Sequence, residues 1–85
     1  MILYSTPPAR HGRFEWRIEV RHTPEYDQNS VIPTWRKAGT DGAWQDPADF
    51  SQPWPGLLFK MAIEHVTDIA AHVATKKIGK GHTGD

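Results

Sequence analysis

The chain is short, neutral and free of cysteine. Its 85 residues suffice for one domain with a small core. Ten basic residues balance ten acidic ones, which argues against a general nucleic-acid binder. Without cysteine there are no disulfides, thiolate nucleophiles or cysteine-based zinc sites. No apolar run reaches the roughly 18–20 residues of a membrane span. We therefore expect a cytoplasmic protein without a membrane partner.

The first part of the chain predicts β-strands. Residues 2–5 form a short β-prone run that the prolines at 7–8 end, so a strand there is short and lies at an edge. Apolar and charged residues then alternate without a break over 14–21, which is the period of a strand with one face in the core. We place this strand at about 13–22. Its predicted core face consists of Phe14, Trp16, Ile18 and Val20.

The middle of the chain predicts a loop, a second long strand and a hairpin. Residues 22–30 are polar and rich in turn formers, which favours a loop. The β-prone segment 31–38 follows, and Pro33 within it indicates an edge strand or a bulge. The Asp-Gly pair in the turn 39–42 favours a hairpin, after which 43–45 returns as a short strand.

The last part of the chain predicts a helix. Residues 46–49 favour a single helical turn, with Asp46 as its N-cap, and the main helix follows at about 55–76. A helical wheel places Leu57 and Met61 on the wrong side for the core. The predicted core face consists of Phe59, Ala62, Ile63, Val66, Ile69, Ala70 and Val73.

These elements predict an α+β fold. A small antiparallel sheet of three to four strands packs against one C-terminal amphipathic helix. We assign residues 1–78 to a single domain and residues 79–85 to a flexible basic tail.

One helical cluster resembles a metal site in its spacing. His65, Asp68 and His72, with Glu64 beside them, are spaced so that imidazole and carboxylate groups could share a divalent ion. A solvated face with an Asp–His pair accounts for the same spacing, and zinc sites usually draw ligands from more than one element. No nucleophile motif or phosphate-binding glycine loop is present. We therefore predict no metal, no cofactor and no enzymatic activity.

Two features suggest a binding surface. The alternating charges on the outer face of the central strand form either a docking surface or a set of cross-strand ion pairs. The segment 44–54 is acidic, stiffened by proline and aromatic, so its large side chains either anchor a partner or cap the helix. The predicted protein-binding residues are Arg13, Glu15, Arg17, Glu19, Arg21, Trp44, Phe50 and Trp54.

Three functions follow from these features. The first is a non-catalytic protein-binding module. Its small size suggests an accessory or inhibitor protein of the phage or mobile-element type that docks on a larger complex, and a homodimer is also compatible. The second is a nucleic-acid binder that uses the lysine tail and Arg13, Arg17, Arg21, Arg36 and Lys37. The third is a metal-dependent or enzymatic role for the His/Asp cluster on the helix.

Overall fold

The computed structural model describes residues 1–47 and 54–74. A four-stranded antiparallel sheet is followed by two consecutive helical segments, which confirms the predicted α+β class. The strands are β1 (Ile2–Ser5), β2 (Ala9–His11), β3 (Phe14–Thr23) and β4 (Gln28–Lys37). The helices are α1 (Trp54–Glu64) and α2, which covers residues 66–74.

Strand β3 is the centre of the sheet. β4 pairs along one edge of β3, while β1 and β2 lie end to end along the other. Thr6 closes the gap between these two short strands. Its backbone N–H donates to the carbonyl of Ile18 over 2.9 Å, and its buried hydroxyl accepts from the N–H of Ile18 over 2.9 Å. β3 therefore keeps its hydrogen bonds where the prolines at 7–8 interrupt the edge.

On either side of two tight turns, strand pairing extends further than the sequence predicts. The sequence predicts no strand at residues 9–11, but they pair with β3 across a two-residue turn in which Gly12 has φ 62°. Glycine reaches such a φ without strain, which suits the first position of a type II′ turn. The predicted loop 22–30 is also wrong at both ends, because β3 and β4 pair up to Thr23 and Gln28. Asp27, with φ 50°, completes the remaining four-residue turn.

Strand β4 is an edge strand, as Pro33 indicates. Trp35 exchanges both backbone hydrogen bonds with Gln45, so its polar groups point away from β3. Backbone direction alternates along a strand, so Pro33 also points outward and costs no hydrogen bond to β3. The predicted return strand 43–45 is reduced to the single bridge at Gln45, and the positive φ of this loop lies at Gly39, not in the Asp-Gly pair.

The core confirms the predicted face of β3. Trp16, Ile18 and Val20 are buried, and Phe14 packs against the same cluster. Met61 is 2% exposed and lies against this face of the sheet.

The predicted core face of the helix is only partly correct, because Ala62 and Ile69 pack against the core cluster but other members of that face do not. The side chains of Phe59, Ile63 and Val66 are 68%, 57% and 57% exposed. Both sides of the helix are apolar, so periodicity alone does not choose between them. Met61 is flexible enough to fill the irregular space beside the sheet. On β1, the ring of Tyr4 stacks on His72 with centroids 4.6 Å apart. This contact holds α2 against the sheet through the same side of the helix as Met61.

The predicted single helix of 55–76 is divided at His65. Helical hydrogen bonds nevertheless continue through this residue, since its N–H donates to Met61 and its carbonyl accepts from Ile69. The predicted turn at 46–49, the helix end near 76 and the tail at 79–85 extend beyond the described residues.

Candidate interaction surfaces

The outer face of the sheet is organised around a buried carboxylate. Glu19 is 1% exposed. Arg17 donates to it through Nη2 over 2.7 Å and Arg21 through Nε over 2.8 Å, while the hydroxyl of Thr34 lies 3.2 Å away. Burial alone would raise the pKa of Glu19, but the hydrogen bonds and charges of the two arginines outweigh it and lower that pKa. The charges on this part of the face are therefore paired with one another.

The loop after β4 is fastened onto the same face. The ring of Trp44 contacts two guanidinium groups, with the Cζ atoms of Arg17 and Arg36 4.5 Å and 4.3 Å from its centroid. Arg21 donates to Asp46 over 2.6 Å, and this hydrogen bond holds the pKa of Asp46 below its usual value. These contacts use arginines that also bind Glu19 or, for Arg36, Glu15. This loop covers part of the outer sheet face, which the sequence predicted as a docking surface.

The predicted protein-binding residues therefore have different environments. Arg17, Glu19, Arg21 and Trp44 belong to one connected network. Glu15 joins it through Arg36, and Arg13 is exposed in the turn before β3. Phe50 and the side chain of Trp54 lie outside the described residues.

The basic residues of the nucleic-acid alternative are also divided. Arg17, Arg21 and Arg36 are engaged with carboxylates, whereas Arg13 and Lys37 are exposed. The side chain of Lys37 projects from the helix-bearing face, because Lys37 lies opposite Phe14 in the pairing of β3 and β4.

The His/Asp cluster of the helix packs on β1. The hydroxyl of Tyr4 donates to Asp68 over 3.3 Å, and Nδ1 of His65 lies 3.9 Å from the same carboxylate. Burial and the charge of Asp68 raise the pKa of Tyr4. Nδ1 of His72 lies 2.8 Å from the backbone carbonyl of Asp68. Over residues 1–47 and 54–74, no three histidine or acidic side chains are placed to hold a metal ion.

An exposed apolar surface lies beside the helix. Phe59, Ile63 and Val66 project into solvent, and Val31 on β4 is 52% exposed. Between helix and sheet lies an open apolar groove of about 330 Å³. Its lining consists of Ile18, Val31, Pro33, Leu58, Phe59 and Ala62. We call the groove, together with Ile63 and Val66, the apolar surface.

This surface exists because one helix does not cover the whole sheet. α1 packs chiefly against β3. Val31 and Pro33 lie opposite Val20 and Ile18 in the pairing, so they share the helix-bearing face, yet Val31 stays exposed beside α1. The sequence contained a signal for the helical part, since Phe59, Ile63 and Val66 recur at helical spacing. We predicted that this stripe would face the core.

Comparisons with known proteins give no relative from which a function could be transferred. No protein-family model matches the chain, and neither the curated proteins nor the solved structures include a significant match. Among the described residues, no helix is both long and apolar enough to cross a membrane.

Proposed function

We propose that this chain is a non-catalytic protein-binding module that binds through the apolar surface. The supporting observation is the exposure of Phe59, Ile63 and Val66 beside an apolar groove. Isolated apolar residues are common on protein surfaces, but a contiguous patch with a groove is typical of interaction sites. Phe59 is a suitable anchor, because aromatic side chains contribute large contact areas to interfaces.

The charge pairing favours a protein partner over nucleic acid. A phosphate group that approached Arg17 or Arg21 would have to compete with Glu19, which binds both. Arg36 is likewise engaged by Glu15. The net charge of zero gives no long-range attraction for a polyanion. A neutral, apolar surface instead suits a partner that is itself apolar at the contact.

Such a module acts by occupying its partner, as an accessory or inhibitor protein does. A docking role on a larger complex agrees with the small size of the chain and with the lack of nucleophile motifs. The lack of cysteine agrees with a reducing compartment such as the cytoplasm.

Affinity capture tests this function. The tagged chain is incubated with a lysate of its source organism, with and without nuclease, and retained proteins are identified. We expect a protein partner that survives nuclease treatment and is lost in Ile63→Glu, which places a charge in the apolar surface. Ala71→Glu is the matched control, because Ala71 is exposed on the same stretch of helix but outside that surface.

Two results would contradict the proposal. One is a partner that disappears with nuclease, which would favour the nucleic-acid function. The other is a partner that Ile63→Glu and Ala71→Glu retain equally, which would place binding elsewhere. Circular dichroism and thermal melting of both variants establish that a loss of capture reflects the surface and not the fold.

A further inference from the structure

We infer that a second copy of this chain covers the apolar surface, in a two-fold dimer whose helices pack antiparallel. This inference rests on the proposed function, because it names the partner of the same surface. A second copy presents an identical exposed helix, so the required binding element is already part of the molecule.

The spacing of the exposed side chains is that of a helix–helix seam. Apolar residues recur at alternating intervals of four and three, which is the a/d pattern of a coiled coil. The stripe consists of Phe59, Ile63, Val66, Ala70 and Val73. Its first four members are exposed and Val73 is half-buried. A second helix can insert its own knobs into a seam of this period.

The stripe is complementary to itself when two copies run antiparallel. A two-fold interface must bring the same patch of both copies together. With the axis between residues 64 and 65, each Phe59 lies opposite Ala70 of the partner subunit, so the largest side chain meets the smallest. Each Ile63 lies opposite Val66 of the partner subunit. The stripe carries no charge, and the two helices therefore meet without like-charge repulsion at the seam.

The exposed area agrees with a dimer of moderate affinity. Phe59, Ile63, Val66 and Val31 are between half and about two-thirds exposed. At about 150–250 Å² for each fully exposed residue, they leave on the order of 400 Å² of apolar surface per copy. Two copies would cover about 800 Å², and the polar rim would bring the total near the roughly 1,200 Å² at which specific interfaces begin. We expect dissociation constants in the range of about 1–100 µM.

Dimerisation through this surface leaves the outer sheet faces free. The stripe lies on the helix-bearing side of the sheet, whereas Trp44 and the Glu19 network lie on the opposite side. A dimer would therefore display two copies of this polar face to any further partner.

The oligomeric state of the purified chain tests the inference. Light scattering after size exclusion and analytical ultracentrifugation are performed between about 1 and 500 µM, a range that brackets the expected dissociation constant. Ala70→Glu and Ala71→Glu form a matched pair, since the residues are adjacent, exposed and changed identically. We expect the wild type and Ala71→Glu to dimerise and Ala70→Glu to dissociate at least about tenfold more readily, equivalent to about 1.4 kcal/mol.

A crosslinking experiment covers the case in which Ala70→Glu does not fold. Because the chain has no cysteine, Ile63→Cys and Val66→Cys can be prepared separately and mixed under mild oxidation. We expect a disulfide-linked heterodimer from this mixture and much less product when Ala71→Cys replaces either partner.

A wild type that stays monomeric at every concentration and does not crosslink would overturn the inference. If that monomer still captures a lysate protein through Ile63, the proposed function stands and the second copy is replaced by another protein. If it captures nothing, both the inference and the proposed function fail.

Discussion

Replacing Met61 by alanine tests the rotation of the helix on the sheet. The side chain of Met61 is 2% exposed and packs with Trp16 and Ile18. Truncation of a buried methionine costs about 2–5 kcal/mol through lost apolar contact and the cavity that remains. A chain of 85 residues has a total stability of roughly 4–13 kcal/mol, so this loss is a large fraction. Since about 1 kcal/mol shifts the melting temperature of a domain this size by roughly 4–8 °C, we expect a decrease of at least about 8 °C.

Phe59→Ala is the matched comparison. Phe59 lies two residues before Met61 on the same helix but is 68% exposed. We expect Phe59→Ala to change the free energy of unfolding by less than about 1 kcal/mol, since little apolar contact is lost. Both variants are unfolded in urea at a concentration of about 0.05 µM, well below the expected dissociation constants, so that dimerisation contributes little to stability. A large loss for Phe59→Ala together with a small loss for Met61→Ala would refute the rotation described here.

Three further substitutions probe the sheet. Glu19→Gln should cost about 1–3 kcal/mol at pH 7, because it weakens the three charge-assisted hydrogen bonds from Arg17 and Arg21. The lowered pKa of Glu19 means that its carboxylate stabilises the fold above the ordinary value of 4.5 and that this stabilisation is lost as the pH falls through the lowered pKa. Urea titrations between pH 7 and 3 should therefore show a shallower decline for Glu19→Gln than for the wild type, and parallel curves would contradict the pairing. Thr6→Val should cost about 1–3 kcal/mol, because the N–H of Ile18 loses its acceptor; an unchanged urea midpoint would show that the hydroxyl is dispensable. Trp44→Ala should detach the loop after β4 and accelerate amide exchange at Gln45, whose N–H is bonded to Trp35; unaltered exchange there would show that the two arginine contacts do not hold the loop.

The strands could be predicted from the sequence where apolar and polar residues alternate. The period of two over 14–21 correctly gave β3 and its apolar core face, but not the burial of Glu19 on the other face. The short strand β2 was not predictable in the same way, because three residues between proline and glycine show no period. Between β1 and β2, Thr6 supplies the hydrogen bonds to Ile18 of β3 where the two prolines interrupt the edge.

The rotation of the helix on the sheet could not be predicted from the periodicity of the sequence. One apolar stripe contains Phe59 and Ile63, and another contains Leu57 and Met61. Which stripe is buried depends on the shape of the sheet under Trp16 and on the packing of Tyr4 against α2, and neither is encoded in spacing.

The candidate surfaces differ in how far sequence could define them. The predicted alternative of cross-strand ion pairs is met by Glu15 and Arg36, which lie opposite each other on β3 and β4. Glu19 instead pairs with Arg17 and Arg21 on its own strand, which the sequence analysis did not predict. The contributions of Trp44 and Asp46 come from a loop whose path depends on the bridge between Trp35 and Gln45. The exposure of the apolar surface could not be predicted, because an exposed stripe and a buried stripe have the same period.

The outward position of Pro33 has a consequence for how the protein behaves at high concentration. A long, flat edge strand with bare amide groups is a template for open-ended strand addition, which leads to fibrils. Residues 31–35 are uncharged and rich in β-branched and aromatic side chains, so they would otherwise be suited to such growth. Within the described part of the chain, Gln45 occupies the outward groups of Trp35, and Pro33 offers no donor next to them. The proline that interrupts the sequence pattern of this strand therefore acts as a gatekeeper against self-templating.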